Sequence, residues 1–284
     1  MNQGTLFVVA TPIGNLDDLS PRARQVLSDA DLIAAEDTRH TGRLLSHFGI
    51  KSRQMALHDH NEEAVVERII STLNEGKSVA LVSDAGTPLI SDPGFRLLRA
   101  AHAAGIRVSP VPGPSAVVAA LSVCGLPMDE FHFAGFLPGK TAARQKQLQT
   151  LAAENRTMIF YESVHRIVAT TNDMLDAFGD GRQIFIGREL TKLQEQCVRT
   201  DLREAAAMLE DGRIPLRGEF VLVVEGRATT VEPLLEISTE HLLRVLRAAL
   251  PGKQAVAIAA SLSGRGKNAL YRQMLALNAD KHSA

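Results

Sequence analysis

Residues 79–94 read VALVSDAGTPLISDPG. The short apolar run VALV (79–82) reads as a strand, SDAGTPLISDPG (83–94) as a Gly/Pro-rich loop at its carboxyl end, and a helical pattern follows. The same order recurs along the first 226 residues. LFVVA (6–10), LIAA (32–35) and RVSPV (107–111) are strands of the first half; FHFAG (131–135), MIFY (158–161), IFIG (184–187) and FVLVVE (220–225) repeat the scheme in the second. Apolar runs alternating with helical patterns are the signature of a predominantly parallel α/β sheet. Pro127 and Met128, after a helix that starts near Ser115, mark a boundary, so two α/β domains are expected, 1–124 and 125–228. GRATTVEP (226–233) reads as a linker. Residues 238–284 form a small C-terminal helical module, in which LLRVLRAAL, AVAIAASL and NALYRQMLAL give two or three short helices and SGRGK (263–267) the turn between the last two.

A chain of 284 residues has ample length for a large core, and 45% hydrophobic with 22% charged residues argues against disorder. No stretch approaches the ~20 apolar residues of a membrane span. The opening MNQGTLFVVA carries no basic leader, which leads to the expectation of a cytoplasmic protein. Cys124 and Cys197 match neither a disulfide framework nor a metal spacing and are expected as buried thiols. The 31 basic and 32 acidic residues nearly cancel, but unevenly. From Thr239 onward seven Lys/Arg stand against two acids, a balance of +5, while the other 238 residues carry 24 against 30, or −6. A basic C-terminal module suits an anionic partner, and equally a solvated helical face.

Ligands of such sheets bind at the carboxyl ends of the strands. Three loops there are Gly/Pro-rich: Thr11-Pro12-Ile13-Gly14-Asn15, residues 83–94, and PGPSA (112–116). None is the G-x-G-x-x-G of a dinucleotide site. Gly and Pro also make ordinary tight turns, yet three such loops in one domain, one with Asp84 directly at a strand end, point to a small-molecule site. AGFLPGKT (134–141) fits a permissive phosphate-binding loop. Against that reading, Pro138 has no N–H to offer a phosphate, and the later strands end in Glu162, Glu189 and Glu225 where a magnesium-binding aspartate is needed. A nucleotide hydrolase is therefore disfavoured.

The ordered series TPIGNL (11–16), AAEDTRHT (34–41), VSDAGTPLISDPG (82–94), PGPSA (112–116), FYESVHR (160–166), GRELTK (187–192) and GEFVLVVEG (218–226) resembles the tetrapyrrole methylase superfamily. Within it the chain is similar to the branch that methylates a cytidine 2'-hydroxyl of 16S rRNA, and GKNALY (266–271) extends the likeness into the C-terminal module. The resemblance implies two α/β domains with a cleft between them that binds S-adenosyl-L-methionine, and a homodimer. It also implies transfer of a methyl group to a cytidine in the decoding region of 16S rRNA, within the small ribosomal subunit. By motif position, Pro12 and Gly14 would line the cofactor and Asp84, Gly86 and Thr87 would hold its polar end. Ser115 and Ala116 would sit beside the methionine part, with Tyr161, Glu162 and Phe220 closing the cleft from the second domain.

Methyl transfer to a hydroxyl benefits from a general base. Candidates at the strand ends are Glu36, Asp37, Glu162, His165, Glu189 and Lys192. Glu162 with His165, and Glu189 with Lys192, stand at helical i, i+3 spacing, and Glu189 and Lys192 lead, although for any single residue an ion pair or a helix cap is the more ordinary role. Gln194 stands where family members often carry histidine. His58 and His60 lack a third ligand at recognisable spacing, so no metal is expected. Arg39, Lys140, Arg265 and Lys267 are the expected RNA contacts, with Arg144 and Lys146 beside Lys140; an Arg39 pair with a neighbouring acid fits as well. With no Trp and 4% aromatics, Tyr271 or Phe136 would carry what base stacking there is. Two other functions fit these features: a methylase of a small tetrapyrrole-like substrate, and an RNA-binding ribosome assembly factor without catalysis.

Overall fold

The computed structural model describes residues 4–58, 61–228 and 238–279. The chain divides into two compact units, residues 1–228 and 229–284. The first unit opens with five parallel strands, β1 (Thr5–Val9), β2 (Leu32–Ala35), β3 (Gln54–Ala56), β4 (Val79–Val82) and β5 (Arg107–Val111), in the order β3-β2-β4-β1-β5. Every residue of β2 and β4 is buried, which is why LIAA and VALV are apolar without alternation. Successive side chains still point to opposite faces. Ala80 and Val82 pack with α1 (Pro21–Asp29) and α2 (Thr38–His47), whereas Val79 and Leu81 pack with α3 (Glu62–Asn74) and α4 (Phe95–Ala103). Caps seat the helices: Ser20 Oγ accepts from Ala23 N–H ahead of Pro21, and the Asp37 carboxylate accepts from Arg39 N–H.

α5 (Ala116–Cys124) ends at Gly125, whose φ of 63° is left-handed. Val117, Ala120, Leu121 and Cys124 of this helix join one cluster with Ile159, Phe185, Val221 and Val223, so the helix that follows the first sheet packs on the second. That sheet contains β6 (Phe131–Phe136), β7 (Thr157–Ser163), β8 (Gln183–Arg188), β9 (Gln196–Asp201) and β10 (Glu219–Val224) in the order β6-β7-β10-β8-β9. Contrary to the expected repeat of the parallel scheme, only β6 and β7 run parallel; β10 is antiparallel to both β7 and β8, and β9 to β8. The loop between β8 and β9 is too short for a crossover helix, and that alone forces a hairpin. α6 (Thr141–Leu151), α7 (Ile167–Phe178) and α8 (Leu202–Glu210) cover the face of this sheet that carries Phe160, Ile186 and Leu222. Cys124 is buried as expected, but Cys197, on the outermost strand β9, is exposed.

In the second unit α9 (Thr239–Ala249), α10 (Gly252–Ser263) and α11 (Lys267–Ala279) close around Leu243, Val256, Ala259, Leu270 and Met274. Gly264, at φ 67°, ends α10 and opens the turn to α11. Residues 229–233 of the expected linker, and His60, lie outside the described residues. Among those described, no helix is long and apolar enough to cross a membrane.

Candidate active site

The carboxyl ends of β1, β4 and β5 are adjacent in the sheet, and their three loops are bonded to one another. Thr11 and Gly86 exchange both backbone hydrogen bonds, at 2.9 and 3.0 Å, and the Thr87 hydroxyl donates to the Pro114 carbonyl at 3.0 Å. The loop after β2 joins them: Asp84 N–H donates to the Glu36 carboxylate at 3.3 Å, and Asp37 N–H to the Asp84 carboxylate at 3.1 Å. Asp84 is thus a brace between two strand ends. Within the 83–94 loop, Leu89 and Ser91 take left-handed φ values of 77° and 75°, uncommon for residues with a Cβ.

These loops and the ends of β7 and β10 enclose a cavity of about 470 Å3. Of the sequence candidates, Glu36, Asp84, Gly86, Thr87, Ser115, Ala116, Phe136, Tyr161, Glu162, His165 and Phe220 line it. Pro12 and Gly14 do not, although Ile13 between them does. Glu189 and Lys192 do not either, while their neighbours Leu190 and Glu219 do. The lining includes Glu36, Asp84, Asp92 and Glu219 and, among the described residues, contains no lysine or arginine. Such a cavity favours a cationic ligand. Ile90, Asp92, Leu190 and Glu219 are lining residues that motif reading passed over; Ile90 and Asp92 reach the cavity through the kinks at Leu89 and Ser91, which no glycine announces.

Glu162 lies opposite Phe220 in the β7–β10 register and is 2% exposed. Its carboxylate accepts from Ser163 N–H and from the Thr170 hydroxyl, both at 2.7 Å, and pairs with Arg166 at 2.8 Å. The expected helix face shared with His165 does not form, because β7 runs through Ser163 and α7 starts at Ile167; His165 is exposed in the intervening turn at the cavity edge. Arg166 also donates to the Leu137 carbonyl at 2.9 Å, so the AGFLPGKT loop presents a carbonyl inward, the reverse of a phosphate cradle.

Glu189 and Lys192 do pair, at 2.7 Å, but through a tight turn in which Glu189 and Thr191 have φ of 50° and 66°, not along a helix. Lys192 bonds Glu219 as well, at 2.8 Å, and Glu219 N–H donates to Glu189 at 3.0 Å. Burial works against both charges, yet these bonds outweigh it: the Glu189 carboxyl is held below its ordinary pKa and the Lys192 ammonium above. The stem of Lys192 lies on Gly14, where a Cβ would meet its Cγ at 2.3 Å. The pair is a latch between the first loop and the second sheet.

Arg39 is largely exposed and its guanidinium holds the Asp37 carboxyl well below the usual range. Lys140 and Lys146 are exposed, but Arg144 is not available to a partner: it is 3% exposed and ion-paired with Asp173. In the second unit Arg265 is exposed in the turn between α10 and α11 and Lys267 at the start of α11, with Arg265 donating to the Thr239 hydroxyl at 3.1 Å.

The Asp92 carboxyl is pushed up to about 6, by burial first and then by the charges of Glu36 and Asp84, against a hydrogen bond from Ser83. Burial and the nearby Asp92 push the Tyr161 hydroxyl up to about 12.

Comparison with known proteins places this geometry in a family. The Tetrapyrrole (Corrin/Porphyrin) Methylases match residues 5–206, and the RsmI C-terminal HTH domain matches residues 234–278. Ribosomal RNA small subunit methyltransferase I of Escherichia coli O157:H7 is 49% identical over 96% of this chain and 96% of its own. The proteins of the same name from Xylella fastidiosa (strain Temecula1) and Pseudomonas aeruginosa are each 51% identical, over 94% and 97% of this chain and 98% of theirs. Among solved structures, uroporphyrin-III-C-methyltransferase from Thermus thermophilus superposes with a TM-score of 0.56 at 22% identity, covering 78% of this chain and 94% of its own. The same enzyme complexed with S-adenosyl homocysteine gives 0.55 at 16% identity, covering 78% and 97%. The chain belongs to the tetrapyrrole methylase family, in the branch of the small-subunit ribosomal RNA methyltransferases.

Proposed function

We infer that the protein is an S-adenosyl-L-methionine-dependent methyltransferase that modifies the 2'-hydroxyl of a cytidine in 16S rRNA. The observation that carries this is identity near 50%, over almost the full length of both chains, with enzymes named as small-subunit ribosomal RNA methyltransferases. The cavity fits the cofactor: its Glu36, Asp84 and Glu219 carboxylates and the lack of cationic lining among the described residues suit a sulfonium and an ammonium group, and its Ile13, Ile90 and Leu190 offer apolar surface to a purine. When bound, the cofactor supplies an electrophilic methyl group.

The roles of single residues are part of this proposal. Asp84, Gly86 and Thr87, with Ser115 and Ala116, hold the cofactor from the first sheet, and Tyr161 and Phe220 face it from the second. Glu162 fixes the β7 end through Arg166 and Thr170 and does not move protons. Glu189 and Lys192 keep the Pro12–Gly14 loop against the second sheet rather than touching reactants. Holding two reactants in line near 3 Å can supply much of the acceleration of such a displacement, which is the task this rigid set of loops suits. Lys192→Ala is expected to weaken cofactor binding about tenfold by calorimetry, a loss of about 1.4 kcal/mol; unchanged binding would remove the latch from the account.

Arg39 and Lys140 in the first unit and Arg265 and Lys267 in the second are proposed phosphate contacts, with Tyr271 available for stacking. We propose the small ribosomal subunit as the substrate particle, its decoding region as the site, a homodimer as the working form, supported by the exposed Val118 and Val123 of α5, and the cytoplasm as the compartment. The test is an acceptor comparison with labelled S-adenosyl-L-methionine. Label entering small subunits or 16S rRNA supports the reading, label entering only a tetrapyrrole supports the small-molecule alternative, and cofactor binding without transfer supports a non-catalytic assembly factor.

A further inference from the structure

The acidic groups around the cavity differ in what their oxygens already bind. Glu162 holds Ser163, Thr170 and Arg166. Glu189 holds Lys192 and Glu219 N–H. Asp37 caps α2 and binds Arg39. Glu36 and Asp84 each accept a backbone N–H that ties the β2 and β4 loops together. Asp92 braces none of these connections. It lines the cavity, brought there by the left-handed turns at Leu89 and Ser91, and Tyr161 of β7 lines the same cavity.

We propose that Asp92 is the general base that takes the proton of the acceptor hydroxyl. The proposal rests on the reading above, that the acceptor is a ribose hydroxyl. In the displacement the hydroxyl oxygen forms a bond to the methyl carbon, the carbon–sulfur bond breaks with its electron pair returning to the sulfonium sulfur, and the proton leaving the oxygen passes to an Asp92 carboxylate oxygen, from which solvent removes it. The groups that face Asp92 make it suited to this work. Glu36 and Asp84, from the β2 and β4 loops, add negative charge; Tyr161 contributes a neutral hydroxyl; Glu162, His165 and Glu219 are the other titratable groups of the lining. With its carboxyl near 6 it is ionised at neutral pH and accepts a proton more readily than an ordinary carboxylate.

Asp92→Asn keeps the side chain's size and removes the base. It is expected to lower kcat on the order of a hundredfold or more while leaving the Kd of S-adenosylhomocysteine and the KM for RNA within about threefold. The wild-type rate should rise with pH through a single ionisation near 6, an inflection that Asp92→Asn loses and His165→Ala keeps. Independently of turnover, carbon NMR of the wild-type protein labelled in its aspartate carboxyls should show one resonance titrating near 6 that is missing from Asp92→Asn. A wild-type rate in Asp92→Asn, an inflection lost with His165→Ala instead, or no aspartate titrating near 6 overturns the assignment. A wild type that methylates no RNA overturns the acceptor, and Asp92 as its base with it; an active wild type matched by Asp92→Asn overturns Asp92 alone.

Discussion

Removal of residues 239–284 is expected to abolish methyl transfer to 16S rRNA while leaving the affinity for S-adenosyl-L-methionine within about twofold of the full chain. Among the described residues, those that line the cavity belong to the first unit, and that unit has its own cores on both sheets. The three helices of the second unit have a separate core. Residues 239–284 carry the basic excess of the protein, seven Lys/Arg against two acids, beside a body with a balance of −6. Affinity for RNA rests mainly on phosphate contacts, each lost cation lowering both the binding constant and its salt dependence. A body with that negative balance retains little attraction for a polyanion once the helices are gone. Calorimetry with the cofactor and a filter assay with labelled methyl separate the two losses. Truncation that destroys both would mean that the helices support the cleft, and truncation that spares RNA methylation would place RNA recognition elsewhere.

Ala116→Phe is expected to weaken cofactor binding at least a hundredfold with the fold intact. Ala116 is the first residue of α5, next to the Ser115 cap, and lines the cavity. At about 470 Å3 the cavity is in the size range of sites that bury most of a small ligand, so it has no spare room for an aromatic ring. The first turn of α5 borders open space on the cavity side, and the ring can enter that space instead of forcing the core apart, which would cost 1–3 kcal/mol in a filled interior. Calorimetry gives the affinity and circular dichroism the fold. Binding as tight as in the wild type would remove the cofactor from this cleft.

The central strands of the first sheet were readable from sequence because they are buried on both faces: LIAA and VALV are strands at the stated residues, and RVSPV, an edge strand exposed at Arg107 and Pro110, is one as well. β3 (QMA) and β9 (QCVRTD) escaped because an edge strand is short or half polar and carries no continuous apolar run. Strand direction in the second sheet escaped for another reason, since an apolar run such as FVLVV is the same whether it pairs parallel or antiparallel, and with β9 missed the β8–β9 hairpin gave no signal. In the cleft, the glycines and prolines of three loops marked where the site lies, and the i, i+3 spacing of Glu189 and Lys192 found a real pair. The geometry of that pair was hidden because Glu189 and Thr191 adopt left-handed conformations that their side chains disfavour. Asp92 was within the motif that located the site, but its access to the cavity depends on Leu89 and Ser91 doing the same.

The most direct test of the central claim is to incubate the protein and labelled S-adenosyl-L-methionine with small ribosomal subunits from a strain lacking it, then map ribose methylation along the 16S rRNA. One new 2'-O-methyl group, on a single cytidine, is the predicted result. Label on a base, or no label in RNA from a protein that binds the cofactor, would contradict it.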